Sequence, residues 1–264
     1  MSTPQTEEES AMTAASFAAK ARAHETVVGY WIVLDSPVST ERIARVGYDY
    51  VALDAQHGLM GYSGWLNGLM AIDAAGAAGI VRVPANNAAN IGQALDAGAA
   101  GVIVPLVNNA AEAAEAVRAV RYPPHGMRSY GPMRSALRIG PKPADADATV
   151  LCLAMIETPE GLENVKEICA VPGLDGVYIG PSDLCLAVGG KFPNDPDVAD
   201  EFNAALTTIR EAADAAGVIA AIHTAGGDIA RQRIDEGFTF ITVASDLTHL
   251  ELAAADHLKV ARGE

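Results

Sequence analysis

The sequence predicts an α/β fold in the form of one (β/α)8 barrel, and three observations lead to this prediction. Short apolar runs alternate with alanine-rich helical patterns, which is the order that a parallel sheet with crossover helices requires. Eight such units fit into 264 residues, about the length of one barrel domain. No Gly-x-Gly-x-x-Gly turn follows the first strand and no phosphate loop follows any strand, which argues against a doubly wound open sheet.

Each predicted strand is a short apolar run that a helical pattern follows, so the strands are expected to be parallel. They are predicted at residues 27–33, 50–54, 80–84, 101–105, 151–157, 176–180, 218–223 and 238–243.

The predicted helices occupy the segments between and after the strands. The first is short, but Ser39, Thr40 and Glu41 form a helix-start signal. The helices are predicted at residues 40–46, 59–78, 87–98, 110–121, 159–170, 199–216, 226–236 and 247–261.

Two further segments lie outside this alternation. Residues 1–25 are predicted to be a leader followed by one amphipathic helix, AASFAAKARAHE, so that a single barrel domain covers residues 26–264. Residues 122–149 contain five prolines and three glycines and are predicted to be a connection without helix or strand. A connection of this length inside a compact domain is usually functional.

Charge and cysteine content narrow the classes of function. The formal net charge of −15 repels nucleic-acid phosphates and anionic membranes. We therefore expect small molecules as partners and expect binding neither to nucleic acid nor to a membrane. The start MSTPQTEEES does not resemble a signal peptide, and no apolar run approaches the roughly 20 residues of a membrane span. The three cysteines match no zinc spacing and are predicted to be reduced core thiols of a cytoplasmic protein.

Polar residues at the carboxyl ends of the strands are the candidates for function, because ligands bind at that end of a (β/α)8 barrel. The second strand ends in Asp54, with His57 just beyond it, and the third carries Arg82. The fifth strand ends in Glu157, and Asp183 follows the sixth. These side chains are expected to face one mouth.

Glu157 and Asp183 are predicted to bind a divalent metal ion. Carboxylate oxygens from neighbouring strands suit Mg²⁺ or Mn²⁺ and leave positions open for a chelating substrate. The alternative is that each acid occupies the first turn of a helix, where the helix dipole stabilises it. Their occurrence at adjacent strand ends favours the metal.

The remaining polar residues indicate how a substrate is held. The backbone amides of Ser182 and Asp183 begin a short helix and are expected to bind a carboxylate. Arg82 is expected to stabilise an enolate or hold a keto oxygen, with an ion pair to a neighbouring acid as the alternative. Asp54 is expected to accept the N–H of one His57 ring nitrogen, which leaves the other nitrogen to move a proton; a structural histidine is the alternative.

Other nucleophiles and bases are weaker candidates. None of the five lysines lies in a predicted strand and no Gly-x-Ser-x-Gly elbow occurs, so an enolate formed here needs a metal ion. His223 ends the seventh strand and is a further candidate for the mouth. His125 lies in the long connection, whereas His24, His249 and His257 are predicted to lie on helix surfaces.

Seven motifs occur in one order between about Val28 and the C-terminus: GYW, GYDYVALDAQHG, VRVPANN, ALDAGAAGVIVPLVNNAAEA, RYPPHGMRS, MIETPEG and DGVYIGPSDL. Together they resemble the HpcH/HpaI aldolase family, the class II metal-dependent pyruvate aldolases that include 4-hydroxy-2-oxoheptanedioate aldolase and 2-dehydro-3-deoxyglucarate aldolase. The resemblance implies a divalent metal but does not decide between Mg²⁺, Mn²⁺ and Co²⁺. It also assigns roles: Glu157 and Asp183 as metal ligands, Arg82 as the enolate-stabilising arginine, His57 with Asp54 as the acid/base dyad, Asp96 as an aspartate that supports the histidine, and the Ser182 and Asp183 amides as the carboxylate site.

The chain departs from the better-known members of this family at two places. It has Ala55-Gln56-His57 where they have Gly-Glu-His, and it has Met155 where they have a glutamine two positions before the metal glutamate. These departures leave the acceptor aldehyde and the surroundings of the metal open. Acceptor specificity is also expected to depend on the long connection, through His125, Arg128, Tyr130 and Arg134.

The sequence therefore predicts a carbon–carbon lyase that reversibly cleaves 4-hydroxy-2-oxo acids through a metal-stabilised enolate. The products are an aldehyde and pyruvate, or a close 2-oxo acid such as hydroxypyruvate. The alternatives are an oxaloacetate decarboxylase, a CoA-thioester lyase of the citrate-lyase type and a non-catalytic barrel. The resemblance also implies a homo-oligomer, a trimer-based hexamer in which the last helix is exchanged between neighbours.

Overall fold

The computed structural model describes residues 12–263 and contains a closed barrel of eight parallel strands. The strands pair in chain order, and the last pairs with the first. The predicted (β/α)8 fold is therefore confirmed and the open sheet is excluded. The strands are β1 (Val27–Ile32), β2 (Tyr50–Asp54), β3 (Ala78–Arg82), β4 (Gly101–Val104), β5 (Leu151–Ile156), β6 (Gly176–Ile179), β7 (Ile219–Thr224) and β8 (Phe240–Ser245).

Helices connect the strands on the outside of the barrel. The side chains of Ser36, Asn87 and Asn109 each accept a backbone N–H from the first turn of the helix that they precede, which explains where these helices begin. The helices are α1 (Ala14–Arg22), α2 (Pro37–Ala44), α3 (Tyr62–Ala75), α4 (Ala88–Asp96), α5 (Ala110–Val120), α6 (Pro143–Thr149), α7 (Pro159–Glu163), α8 (Val165–Cys169), α9 (Pro181–Ala187), α10 (Ala199–Ala216), α11 (Gly227–Asp235) and α12 (Asp246–Arg262).

Successive side chains of each strand alternate between the barrel interior and the layer of helices, as the two-residue period of a strand requires. In β2, Tyr50 and Ala52 belong to the interior cluster, whereas Val51 and Leu53 pack against the helices. The next inward position is Asp54, the last residue of the strand. The same alternation therefore turns the final residues of several strands toward the barrel axis.

Helix α1 packs at the amino-terminal end of the barrel. Phe17 is buried, and its ring centroid lies 5.6 Å from that of Tyr50 and 5.9 Å from that of Phe240. Lys20 forms an ion pair with Asp49 at 2.7 Å. The helix predicted within residues 1–25 is thus present and packs as part of the barrel. The predicted leader includes residues 1–11, which lie outside the residues that the structure describes.

The helix predicted at residues 40–46 occupies Pro37–Ala44, because Ser36 and not Ser39 caps its start. Two further predictions of secondary structure were wrong. Residues 122–149 were expected to contain no element, but they include a 3-10 turn (Ser135–Leu137) and α6. Proline is a helix breaker only in the interior, and Pro143 occupies the first turn of α6, where its missing N–H costs nothing. The continuous helix predicted at 159–170 is divided into α7 and α8 at Asn164, whose φ of −93° and ψ of 9° are not helical.

Cys152, Cys169 and Cys185 are free and buried, as predicted for core thiols. Over residues 12–263, no helix combines the length and the apolar character needed to cross a membrane.

Candidate active site

A cavity of about 210 Å³ lies at the carboxyl ends of the strands, where (β/α)8 barrels bind their ligands. Its lining comes from β1, β3, β5, β6 and β7 and from the segments after β2 and β6. It includes four of the predicted site residues. The polar and aromatic lining residues are Trp31, His57, Arg82, Tyr178, Ser182, Asp183 and His223.

The two-residue period of the strands explains why these side chains meet. Asp54 and Arg82 continue the inward-facing rows of β2 and β3, and the two residues stand opposite each other in the register of these strands. Glu157 continues the inward row of β5 that contains Leu153 and Met155. Asp54, Arg82 and Glu157 are therefore brought together because each occupies an inward position at the end of its strand.

Asp54 and Arg82 form a buried ion pair. Asp54 Oδ1 accepts a hydrogen bond from Arg82 Nε at 2.9 Å, and Oδ2 accepts one from Nη2 at 2.5 Å. Burial alone would raise the pKa of Asp54, but the hydrogen bonds and charge of Arg82 outweigh it and hold this pKa below its usual value. The guanidinium also lies 5.0 Å from the centre of the Trp31 ring. Because Arg82 binds Asp54 through Nε and Nη2, its Nη1 remains available to a ligand in the cavity.

The structure differs from the prediction for Asp54 and His57. Asp54 Oδ1 accepts the backbone N–H groups of Gln56 at 3.0 Å and His57 at 3.1 Å, and no described contact joins it to the imidazole. The chain turns so sharply after Asp54 that backbone, and not the ring, meets the carboxylate. Gly58 permits this turn, because a Cβ there would lie 2.0 Å from the Asp54 carbonyl oxygen. The exposed imidazole of His57 lines the cavity instead.

Glu157 is buried beneath the cavity. Its Oε1 accepts the backbone N–H of Leu106 at 2.8 Å, whereas its Oε2 is enclosed and has no hydrogen-bond partner among residues 12–263. Leu106 has a φ of 54°, a left-handed conformation that is uncommon for leucine. Burial raises the pKa of Glu157, the Leu106 N–H opposes this increase, and the charge of Asp183 adds to it.

Asp183 and Ser182 lie in the first turn of α9 and line the cavity next to Glu157. The N-cap residue of this helix, Gly180, makes no side-chain capping bond. The first N–H groups of a helix have no partner within the helix, so the early amides of α9 are suitable for a carboxylate. A Cβ on Gly180 would lie 2.5 Å from Glu157 Oε2, so glycine is required here for the carboxylate to fit.

The donor set fits a hard divalent cation held by few protein groups. No group of three or more histidine, cysteine or acidic side chains suitable for a metal occurs within residues 12–263. The buried and unpartnered Oε2 of Glu157, with the charge of Asp183 nearby, is what a cation would satisfy. These two carboxylates therefore remain the residues that could hold a metal, with open positions for substrate oxygens.

His223 was a further, weaker candidate for the mouth, and the structure places it in the cavity wall. Its ring meets the ring of Trp31 edge-on, with 5.3 Å between their centroids. Burial and the charge of Arg82 lower the pKa of His223 to about 4, so the ring is neutral near pH 7. Trp31 and Tyr178 were not singled out from the sequence. Their inward positions on β1 and β6 were the signal that could have identified them.

Asp96 lies outside the cavity within one chain. It is the last residue of α4, which runs back from the carboxyl end of β3 to the amino end of β4. Its Oδ1 accepts a hydrogen bond from Arg128 Nη2 at 2.8 Å. The family resemblance implies that Asp96 supports His57. Within a single chain, Asp96 lies too far from the mouth to do so.

The long connection also lies away from the cavity in one chain. It joins the end of α5 to the start of β5, and both of these positions are at the amino-terminal end of the barrel. Arg134 binds Asp73 and the carbonyl of Ala97 there, and Arg128 stacks on Tyr122 at 4.6 Å. Ligand specificity was expected from this connection because it is long, but the direction of the helix before it carries the chain away from the mouth.

Comparison with known proteins agrees with this architecture. The family model for HpcH/HpaI aldolase/citrate lyase matches residues 27–253. A hydroxypyruvate/pyruvate aldolase of Rhizorhabdus wittichii is 42% identical over 233 residues, which cover 88% of this chain and 92% of the relative. A 5-keto-4-deoxy-D-glucarate aldolase of Klebsiella pneumoniae is 33% identical and covers 88% and 90% of the two chains.

A solved structure of a family member from Burkholderia cenocepacia superimposes with a TM-score of 0.85 at 31% identity, covering 94% of this chain and 99% of the other. The family model matches nearly the whole barrel. The relatives are similar to this chain in sequence, and the solved structure is similar to it in fold. The chain belongs to the HpcH/HpaI aldolase/citrate lyase family.

Proposed function

We propose that the chain is a metal-dependent aldolase that reversibly cleaves 4-hydroxy-2-oxo acids to an aldehyde and pyruvate, or a close 2-oxo acid such as hydroxypyruvate. The observation that carries the proposal is the enclosed, unpartnered oxygen of Glu157 beside Asp183 at the barrel mouth. The aldolase activities named for its relatives support the same reaction class.

Two groups of this chain hold and activate the substrate. The early amides of α9, at Ser182 and Asp183, bind the carboxylate of the 2-oxo acid. Arg82 donates from Nη1 to the 2-oxo oxygen, where negative charge develops. Asp54 keeps the guanidinium in place and is a positioning residue. Glu157 and Asp183 would hold a divalent ion, which would supply further positive charge to stabilise the enolate.

His57 moves the proton in this scheme. It takes the proton of the 4-hydroxyl, the C3–C4 bond breaks, and the aldehyde leaves. The electron pair of that bond remains on the C3 side as an enolate. A proton from water then adds at C3, and His57 returns its own proton to the solvent. In the synthetic direction, the same residue returns a proton to the new hydroxyl oxygen.

Exchange of the pyruvate methyl protons with deuterium in D2O tests the proposal without any aldehyde. EDTA-treated protein is expected to be inactive and to recover exchange with Mn²⁺ or Mg²⁺, whereas Glu157→Ala and Asp183→Ala are not expected to recover it. Glu160→Ala, an exposed acid three residues after Glu157, is the control. Exchange that persists in EDTA would contradict a metal-dependent enolate, and release of CO2 from oxaloacetate without aldol cleavage would favour the decarboxylase.

We further propose that the protein is a cytoplasmic homo-oligomer, a trimer-based hexamer with exchanged C-terminal helices. Three buried free cysteines support a reducing compartment. In one chain every residue from Thr248 to Gly263 is exposed, including Leu250, Leu252 and Leu258, which supports burial of α12 by another copy. Within such an assembly, Asp96 of one copy could support His57 of another.

A further inference from the structure

His223 is the last inward-facing residue of β7 and stands between two cavities. One is the candidate active site, and the other, of about 310 Å³, lies at the ends of β7 and β8. The edge-on contact with Trp31 holds the imidazole against the wall of the active site. The ring therefore faces whatever occupies the space next to Trp31.

The two ring nitrogens have different surroundings. Nδ1 is enclosed and has no hydrogen-bond partner among residues 12–263. Nε2 is not among the enclosed atoms without a partner, and no hydrogen bond joins it to residues 12–263, so we infer that it is the nitrogen that reaches the two cavities lined by His223.

This difference fixes where the proton of the neutral ring lies. Burial and Arg82 lower the pKa of His223 to about 4, although the charge of Asp54 partly opposes this shift. A neutral imidazole carries one N–H. An enclosed N–H without an acceptor costs more than an enclosed lone pair, so the proton is on Nε2. The protein thus presents one uncharged donor to the cavity, and no group of the described chain uses it.

The proposed substrate position decides what this donor meets. The carboxylate of a 2-oxo acid lies at the α9 amides, and its 2-oxo oxygen is directed toward Arg82. The third carbon then faces the rest of the lining, in which Trp31 and His223 lie together with His57, Met155 and Tyr178. We place a substituent of this carbon on the side of Trp31 and His223, because His57 is assigned to the 4-hydroxyl. A methyl group there would leave the Nε2–H without an acceptor, whereas a hydroxymethyl group would supply one.

We propose that His223 is the specificity-determining residue for the 2-oxo acid, through a hydrogen bond from Nε2–H to a hydroxyl on the third carbon. The chain accordingly prefers a 3-hydroxy-2-oxo acid, such as hydroxypyruvate, to one with an unsubstituted methyl group. The inference rests on the proposed aldolase function and adds the residue that selects the donor substrate.

The test compares kcat/KM for hydroxypyruvate and for pyruvate with one fixed aldehyde in the Mn²⁺-loaded protein. His223→Leu removes the donor and is expected to lower the hydroxypyruvate-to-pyruvate ratio about ten-fold. His223→Gln keeps an N–H donor and is expected to retain more of the preference. His24→Asn removes an exposed histidine at the other end of the barrel and is expected to leave the ratio unchanged; asparagine tolerates the φ of 56° found there.

Calorimetric titration of each 2-oxo acid into the Mn²⁺-loaded protein, without aldehyde, gives a second readout independent of turnover. It is expected to show the same loss of hydroxypyruvate preference in His223→Leu. An unchanged ratio in His223→Leu, or an equal loss for both acids, overturns the inference while the aldolase function stands. A change confined to the KM of the aldehyde also overturns it. Wild-type protein that turns over neither acid in the presence of metal overturns both.

Discussion

Arg82 binds Asp54 side-on, through Nε at 2.9 Å and Nη2 at 2.5 Å, in a pair that is buried from solvent. The two residues are register neighbours in β2 and β3, so the sheet itself brings them together. The same carboxylate accepts the N–H groups that form the turn leading to His57. One aspartate thus fixes both the guanidinium and the loop that carries the proposed proton acceptor.

We expect Asp54→Ala to lower both stability and activity. Removing one partner of a buried ion pair leaves an uncompensated charge and costs about 3–5 kcal/mol. Urea unfolding at pH 7 measures this loss. The control is Glu41→Gln, which breaks the exposed pair between Glu41 and Arg45 and should cost less than about 0.5 kcal/mol. Equal effects of the two substitutions would mean that the buried pair contributes no more than a surface pair.

The stabilising effect of Asp54 is expected to disappear in acid. Its pKa is lowered in the folded protein, so its contribution is complete above the ordinary aspartate pKa of about 4 and is lost as the pH falls through the lower folded value. The difference in free energy of unfolding between wild type and Asp54→Ala should therefore shrink below about pH 4. Unfolding curves measured from pH 7 to pH 3 provide the comparison.

Glu157→Gln is expected to separate metal binding from folding. The raised pKa of Glu157 means that its ionisation opposes folding of the metal-free protein, with the cost appearing as the pH rises through the folded value. Glutamine cannot ionise, so the metal-free variant should be at least as stable as wild type at pH 8. Its affinity for Mn²⁺, measured by calorimetry, should fall by at least about 100-fold. Glu160→Gln should change neither quantity, and unchanged Mn²⁺ affinity in Glu157→Gln would remove this residue from the metal site.

The barrel could be predicted from the sequence because its signal is repeated. Each apolar strand is followed by a helix, and this pattern occurs eight times. Shifted boundaries therefore do not change the predicted fold; β8, for example, was predicted at residues 238–243 and lies at Phe240–Ser245. An ion pair with a neighbouring acid was the alternative given for Arg82, and the structure confirms it. The sequence did not identify Asp54 as that acid, because the pairing depends on the register between β2 and β3. His57 is only three residues from Asp54 in the sequence, but the residue next to Asp54 in the sheet is Arg82, which therefore becomes its partner.

Asp96 illustrates a second limit of sequence reasoning. The family motif identifies Asp96 as a site residue, but its distance from the mouth depends on the direction of α4. A contact between Asp96 and His57 therefore requires another copy of the chain. His223 was a candidate for the mouth, but the sequence ranked it below His57. The role that we propose for it depends on an enclosed ring nitrogen, which only the packing around β7 reveals.

Leu106 is expected to tolerate glycine but not proline. Its φ of 54° is one that glycine adopts without cost, so Leu106→Gly should keep Mn²⁺ affinity and change the free energy of unfolding by no more than about 1 kcal/mol. Proline fixes φ near −65° and lacks the N–H that Glu157 Oε1 accepts. Leu106→Pro should therefore weaken Mn²⁺ binding, as calorimetry would show. Full affinity in the proline variant would mean that this hydrogen bond does not orient the carboxylate.

His57→Ala is expected to slow aldol cleavage by about 10²- to 10⁴-fold, the usual contribution of a general base. Its ring is exposed and has no described contact with Glu157 or Asp183, so Mn²⁺ affinity should be unchanged. Steady-state cleavage of a 4-hydroxy-2-oxo acid, compared with calorimetric titration of Mn²⁺, separates the two effects. A parallel loss of metal affinity would indicate that His57 maintains the site and does not move the proton.

The exposed apolar side chains of α12 are expected to hold the oligomer together. Leu250, Leu252 and Leu258 are 60%, 62% and 51% exposed in one chain, although the start of the helix is anchored by a 2.7 Å hydrogen bond between Tyr30 and His249. Replacing all three leucines by serine should shift the mass measured by sedimentation toward that of the monomer, because the buried apolar area between copies is lost.

Val38→Ser provides the matched control, since this valine is 72% exposed but lies on α2. It should leave the sedimentation coefficient unchanged. If Asp96 supports His57 across the same assembly, the triple serine variant should also lose cleavage activity while retaining Mn²⁺ affinity, because both predicted metal ligands belong to one chain. A monomer with full activity would show that the barrel completes its site alone and that Asp96 has only its structural partner, Arg128.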